Sequence, residues 1–230
     1  MPSVAENLAR VRERIAAAAQ QAGRDPAEIT LVAVSKTQPA EAVEEALAAG
    51  ATDLGENYAQ ELRDKYALIG GRARWHFIGH PQTNKLRYLV PQCVLIHSVD
   101  SERLAAEVNQ RAARLGHRQA VLLEVNLSGE ESKFGLSPEA ALGLAPEVAA
   151  MPAVELRGLM TMPPLAPEAE AARPYYVALR RLAERLREAG LPAEATRELS
   201  MGMTADLEVA IAEGATLVRV GTAIFGARRT

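Results

Sequence analysis

The stretch "ITLVAVSKTQPAE", residues 29–41, carries the chain's organising unit. Thr30 to Val34 form a β-favouring apolar run, the polar Ser35, Lys36 and Thr37 interrupt it, and a stretch of helical period follows over 39–49. This pattern of strand, short polar link and helix then recurs. Further β-rich runs lie at 52–56, 74–79, 93–99, 120–127, 154–161, 197–202 and 216–221, which makes eight candidate strands. Helical period fills the intervals 56–68, 82–89, 101–115, 138–149, 168–189 and 205–213. In the longest of these, Tyr176, Leu179, Leu182 and Leu186 share one face, Pro174 sits near the start and Gly190 provides a stop.

Eight strands alternating with helices predict parallel βα units, and a closed (β/α)8 TIM barrel is the simplest arrangement of eight. A doubly wound open sheet is the alternative. An additional N-terminal helix precedes the first strand: Ser3 and Glu6 have capping-box spacing, and Gly23 closes the segment. The Pro-rich stretch at 162–174 reads as a loop after the sixth strand, so residues 1–230 are expected to form a single barrel domain.

Composition narrows the function classes. The 230 residues are 48% hydrophobic, with a formal net charge of -3 and a pI near 5.9. That balance lacks the clustered positive charge of a nucleic-acid binder. The chain shows neither an apolar run of membrane-spanning length nor the basic-then-apolar order of a signal peptide, so a soluble cytoplasmic protein without membrane contact is expected. The single cysteine, Cys93, lies in the apolar run "CVLIHSVD" and reads as a small core residue.

In a barrel, the C-terminal ends of the strands gather around one mouth. The informative residues of this chain fall at such ends: Lys36, "GENY" (55–58), "GHPQTNK" (79–85), "HSVDS" (97–101), "NLSGEESKFG" (126–135), "SMGMTAD" (200–206) and "RVGTAIFG" (219–226). Ser200, Gly202 and Thr204 after strand seven, with Gly221 and Thr222 after strand eight, occupy the usual phosphate-binding loops of barrel enzymes. Glycine lets backbone N–H groups approach an anion and the hydroxyls add donors, although the same glycines also suit plain tight turns.

Only four of the 26 Lys and Arg residues are lysines, which draws attention to the one at the end of the first strand. A desolvated amine loses proton affinity and can attack an aldehyde, which arginine cannot do. Taken alone, such a lysine is more often a snorkelling or helix-capping residue. A ligand with both an aldehyde and a phosphate is pyridoxal 5'-phosphate. The other candidate sites offer less. His76 and His80, four apart in a strand, do not converge on a metal, and His97 and His117 read as ordinary surface or strand-end residues. The "SGEESKFG" run ending near Lys133 reads as a solvated loop, with a mobile lid as the alternative.

The ordered motifs "VAVSKT", "GENYAQE", "WHFIGHPQTNK", "VNLSGEESKFG", "LRGLMTMPP" and "LSMGMTADLEVAIAEGATLVRVGTAIFG" cover nearly the whole chain. They resemble the pyridoxal phosphate homeostasis proteins, relatives of the N-terminal barrel of alanine racemase. The resemblance implies a barrel that holds pyridoxal phosphate as a Schiff base on Lys36. It places Asn57 beside the cofactor, Ser200, Gly202, Gly221 and Thr222 at the phosphate, and Arg219 at the pyridine nitrogen. His80 and Met201 are expected as further lining. Pro81 and Thr83 depart from the family's pattern, which has Leu and Ser there, and Pro81 is expected to shift the loop carrying His80 and Asn84.

Guanidinium has donors only, so a ring nitrogen meeting Arg219 would stay unprotonated and the ring would be a weak electron sink. The expectation is a monomeric, non-catalytic carrier of pyridoxal phosphate in vitamin B6 homeostasis, with apoenzymes that use the cofactor as recipients. Two alternatives are an amino-acid racemase using the same cofactor and a cofactor-free Schiff-base aldolase. Alanine racemases continue into a β-domain supplying a catalytic tyrosine, and "TAIFGARRT" stops short of one. The aldolase would need a carboxylate or tyrosine base, for which the sequence offers no pattern.

Overall fold

The structure, a computed structural model, describes residues 2–130, 133–164 and 166–226. Eight strands alternate with helices: β1 (Thr30–Val34), β2 (Asp53–Glu56), β3 (Arg74–Phe77), β4 (Cys93–Val99), β5 (Gln119–Glu124), β6 (Val154–Met160), β7 (Glu198–Ser200) and β8 (Leu217–Val220). All neighbouring pairs are parallel, and β8 returns to pair with β1 through Thr30↔Leu217 and Val32↔Arg219. That last ladder makes the sheet a closed barrel rather than a doubly wound open sheet. Closure removes both sheet edges.

Side chains alternate between barrel interior and helix-facing shell, as the pleat requires. Val32, Leu95, Ala120, Leu122, Met160 and Leu217 fill the interior as one apolar cluster. Ile96, Val121, Leu123, Val218 and Val220 belong instead to the layer beneath the helices. The same parity turns His97, two residues after Leu95, Glu124, two after Leu122, and Arg219, two after Leu217, toward the interior.

Helix α1 (Val4–Gln21) precedes the barrel and has the expected capping box, with Glu6 N–H donating to Ser3 Oγ at 3.2 Å and Ser3 N–H donating to Glu6 at 2.7 Å. Its stripe of Leu8, Val11 and Ile15 is buried. It packs against α2 (Ala40–Ala48), α7 (Leu207–Ala212) and α8 (Thr222–Phe225), bridging the first and last βα units. Between them run α3 (Ala59–Ile69), α4 (Glu102–Arg114), α5 (Pro138–Ala149) and α6 (Arg173–Glu188). On α6, Tyr176, Leu179, Leu182 and Leu186 are buried on the face read from the sequence. Each leucine contributes roughly 1.5–3 kcal/mol by leaving water.

Two helical readings are revised. Residues 169–172 wind as a separate 3-10 turn before α6. The β3–β4 crossover is the 3-10 helix Thr83–Tyr88, a short segment confined between Pro81 and Pro91.

Candidate functional site

The ends of β1, β2 and β8 and the segments after β6 and β7 enclose a cleft of about 330 Å³, lined by Val34, Lys36, Asn57, Ile78, Met162, Met203, Thr204, Ala205, Arg219, Gly221 and Thr222. Lys36 follows β1 immediately and is half-buried. Its backbone is gripped on both sides. Lys65 Nζ donates to the Ser35 carbonyl at 2.6 Å and to Glu61 Oε1 at 2.8 Å, and that same Oε1 accepts from Thr37 N–H at 2.6 Å. Thr37 has φ 62°, a left-handed conformation costly for a β-branched residue, and the Lys65–Glu61 pair spans it.

Beneath this buckle Glu56 accepts from Ser35 Oγ and from Lys65 Nζ, each at 2.6 Å through Oε1. Glu56 Oε2 is buried without a hydrogen-bond partner among the described residues. Burial pushes the Glu56 carboxyl upward in pKa, against the pull of Lys65.

Next to β1, β8 carries Arg219, which is 4% exposed. Its Nη1 donates to Ser200 Oγ at 2.6 Å and its Nη2 to the Thr161 carbonyl at 3.0 Å. A guanidinium has five N–H donors, so these two bonds anchor it from below while donors remain for the cleft that it lines. Burial lowers its pKa, and Tyr176, Glu124 and Asp206 oppose that shift.

Thr222 at the start of α8 and Thr204 after β7 bring their hydroxyls to 3.3 Å of one another on the cleft wall beside Gly221. Asn57 reaches the wall from the end of β2, with its Oδ1 buried and lacking a partner among the described residues. Gly79 permits this placement, because a Cβ there would overlap the Asn57 backbone.

Five predicted residues, Lys36, Asn57, Arg219, Gly221 and Thr222, thus line one cleft. The others sit elsewhere. Ser200 is fully buried, and its hydroxyl is engaged by Arg219 and His97 inside the barrel. Gly202, with φ 91°, lies where a Cβ would meet Ala210 Cβ at 2.5 Å, so it serves the close packing of the β7–α7 link. Met201 is fully buried in the helix-facing core, the parity opposite to Ser200. Thr204, from the same "SMGMT" segment, supplies the wall hydroxyl instead.

His80 lines a neighbouring cleft with Asn57 and Lys85, stacks on Phe134 at 3.8 Å between ring centroids, and has Nδ1 at 3.1 Å from Asp100. It is therefore not part of the Lys36 wall. Pro81 beside it is buried and Asn84 is exposed. Within the "SGEESKFG" loop, Glu131 and Ser132 lie outside the described residues.

Two residues escaped the sequence reading. Glu124 ends β5 in an otherwise apolar run and lines a second cleft of about 690 Å³, which shares Lys36, Met162 and Met203 with the first. Burial, reinforced by the charge of Asp100 and opposed by Arg219, pushes its carboxyl up to about 7. The lone Glu of "VLLEV" was the available signal. His97, read as an ordinary strand-end residue, is instead fully buried in the barrel interior with its rings' nitrogens on Ser200 and His76. Its partners come from two other strands, β3 and β7, which no local pattern could show.

Chemically, this arrangement offers a lysine beside a donor-only cation, a hydroxyl pair suited to an anion and an amide oxygen, with a carboxyl in the adjoining cleft. Known proteins match this frame. Residues 7–229 match the family described as alanine racemase, N-terminal domain. The pyridoxal phosphate homeostasis protein of Pseudomonas aeruginosa is 50% identical over 230 residues, 99% of this chain and 97% of that one. PipY of Synechococcus elongatus, solved with pyridoxal phosphate bound, superposes with a TM-score of 0.86 at 36% identity, covering 97% of this chain and 100% of that chain. An alanine racemase of Clostridium difficile shares the fold, with a TM-score of 0.76 at 16% identity over 99% of this chain and 57% of its own. With similarity running along nearly the full length of both sequences, the chain belongs to the alanine racemase N-terminal domain family, among its pyridoxal phosphate homeostasis proteins.

Proposed function

We propose that this chain binds pyridoxal 5'-phosphate, holds it as a Schiff base on Lys36, and serves vitamin B6 homeostasis as a carrier without turning over a substrate of its own. The observation that carries this reading is the meeting of Lys36, Arg219 and the Thr204–Thr222 hydroxyl pair around one cleft. The residues fit the group. Two hydroxyls beside Gly221 suit the phosphate, the remaining Arg219 donors suit an unprotonated ring nitrogen, and the unpartnered Asn57 Oδ1 can accept from a ligand hydroxyl. The assignment of Ser200 to the phosphate is replaced by Thr204, since the Ser200 hydroxyl is already engaged below the wall.

When bound, the cofactor supplies an electrophilic carbonyl and a heteroaromatic ring whose electron-withdrawing power depends on protonation of its nitrogen. Arg219, having no acceptor, cannot take a proton from solvent and pass it to that nitrogen, and its positive charge disfavours one there. Such surroundings favour holding over carbanion chemistry. The chain acts as a monomer, and its recipients are apoenzymes that use pyridoxal phosphate.

The direct test is borohydride reduction of the cofactor-loaded protein followed by peptide mapping. Label is expected on Lys36 and absent from a folded Lys36→Ala variant. Label retained at another lysine in that variant refutes the anchor. Wild-type turnover of alanine at the tens per second of a dedicated enzyme refutes the carrier role.

A further inference from the structure

A row of polar side chains crosses the apolar barrel interior behind Arg219. Arg219 Nη1 lies 2.6 Å from Ser200 Oγ, Ser200 Oγ lies 2.8 Å from His97 Nδ1, His97 Nε2 lies 2.9 Å from His76 Nδ1, and His76 Nε2 lies 2.8 Å from Asp53 Oδ1. The row starts at the mouth on β8, passes through β7, β4 and β3, and ends at the first residue of β2, at the opposite end of the barrel. Ser200 and His97 are fully buried and His76 is 2% exposed. Ordinary packing does not call for this, since Leu95, Leu122 and Leu217 fill the same interior.

Donor chemistry fixes the direction of the row. Arg219 can only donate, so Ser200 Oγ accepts from it. The remaining partner of that hydroxyl is His97 Nδ1, so Ser200 donates to His97. Burial drives the His97 pKa well below its usual value, so the ring is neutral and carries one proton. With Nδ1 accepting, that proton sits on Nε2 and is donated to His76 Nδ1. His76 then keeps its own proton on Nε2, facing Asp53.

The terminus is an anion. Burial alone would raise the Asp53 carboxyl, but bonds from His76, Thr52 and Arg74 outweigh it and hold the group at about 2. Every hydrogen bond therefore points from the guanidinium toward the carboxylate, and aligned bonds polarise one another. The reverse direction would set His97 and Arg219 both donating to Ser200 and leave its own buried hydrogen without an acceptor, which is costly.

We propose that His97, acting through Ser200, and His76, acting through His97, are positioning residues that lock the Arg219 fork in place before any ligand enters. The lock makes the mouth selective for an unprotonated heteroaromatic nitrogen, a consequence that rests on the cofactor reading above.

The test uses cofactor-free protein labelled with ¹⁵N. Long-range proton–nitrogen spectra at neutral pH are expected to show His76 and His97 both protonated on Nε2 alone. A proton on Nδ1 of His97, or an imidazolium at either residue, overturns the relay. The Arg219 guanidinium reports the positioning. Its Nη protons should be resolved in the wild type and in His97→Asn, whose Oδ1 can stand in for the accepting Nδ1. They should merge in His97→Phe, which offers Ser200 no acceptor, and that variant should bind pyridoxal phosphate less tightly than His97→Asn. Resolved Nη protons in His97→Phe refute the positioning role, and if that variant fails to fold the wild-type tautomers still decide. Failure of the cofactor reading would show separately, as wild-type protein that does not bind pyridoxal phosphate.

Discussion

Glu124→Gln isolates the free energy of burying an ionisable group at the edge of the site. The Glu124 carboxyl, 9% exposed, is pushed from 4.5 to about 7, chiefly by burial, with Asp100 adding and Arg219 opposing. A folded-state pKa above the unfolded value means that the neutral acid is the form the fold tolerates. Stability from this group is therefore complete below about 4.5 and is lost as pH rises through about 7. At about 1.36 kcal/mol per pH unit the full loss approaches roughly 3 kcal/mol, and water entering the adjoining cleft reduces it to about 2–3 kcal/mol. Glutamine keeps the shape and cannot ionise, so all other titrations cancel in the difference between the two proteins. Urea unfolding at steps from pH 4.5 to 8.5 gives midpoints and slopes for both. The variant should match the wild type at the acid end and exceed it by about 2–3 kcal/mol at pH 8.5. Parallel stability curves, or a gap that widens toward acid, would refute the burial argument.

Thr222→Val and Thr204→Val keep side-chain volume and remove one wall hydroxyl each. Each should weaken pyridoxal phosphate binding about tenfold or more, from roughly 1.5–3 kcal/mol per bond to a charged group, measured by fluorescence titration. Pyridoxal without the phosphate should be indifferent to both changes, and equal losses for the two vitamers would remove the hydroxyl pair from the phosphate. Lys65→Met leaves Glu56 buried with neither oxygen facing a cation and should cost about 3–5 kcal/mol in chemical denaturation. Adding Glu56→Gln should recover part of that loss, and additivity of the two changes would sink the pairing. Cys93 is 2% exposed and burial drives its thiol pKa upward, so a disulfide reagent should label it only at the rate of unfolding. Rapid labelling of folded protein would contradict the core placement.

What the sequence by itself determined is local. Apolar, β-rich runs located all eight strands, most plainly β1, β4 and β5, because a strand buried on both faces tends to a continuous apolar run and a helix shows its stripe every three or four residues. The Ser3–Glu6 box and the Tyr176–Leu186 stripe needed nothing beyond their own segments. Lys36, Gly221 and Thr222 were legible because barrel geometry sends strand ends to a common mouth, whereas Asn57 and Arg219 were singled out through the family resemblance.

The tertiary structure alone decided closure, through the β8–β1 ladder, since two runs nearly 190 residues apart carry no mark of pairing. It also decided which hydroxyl faces the cleft. Ser200 and Thr204 look equivalent in "SMGMT", but Ser200 still obeys the strand's pleat and turns inward to Arg219 and His97, whereas Thr204 lies beyond the strand and meets Thr222. Side chains from β2, β3, β4, β7 and β8 meet in the Asp53–His76–His97–Ser200–Arg219 row only when a shared register stacks them inside one cylinder. A pleat of period two states which face a residue takes, and the partners across that face come from the closed sheet.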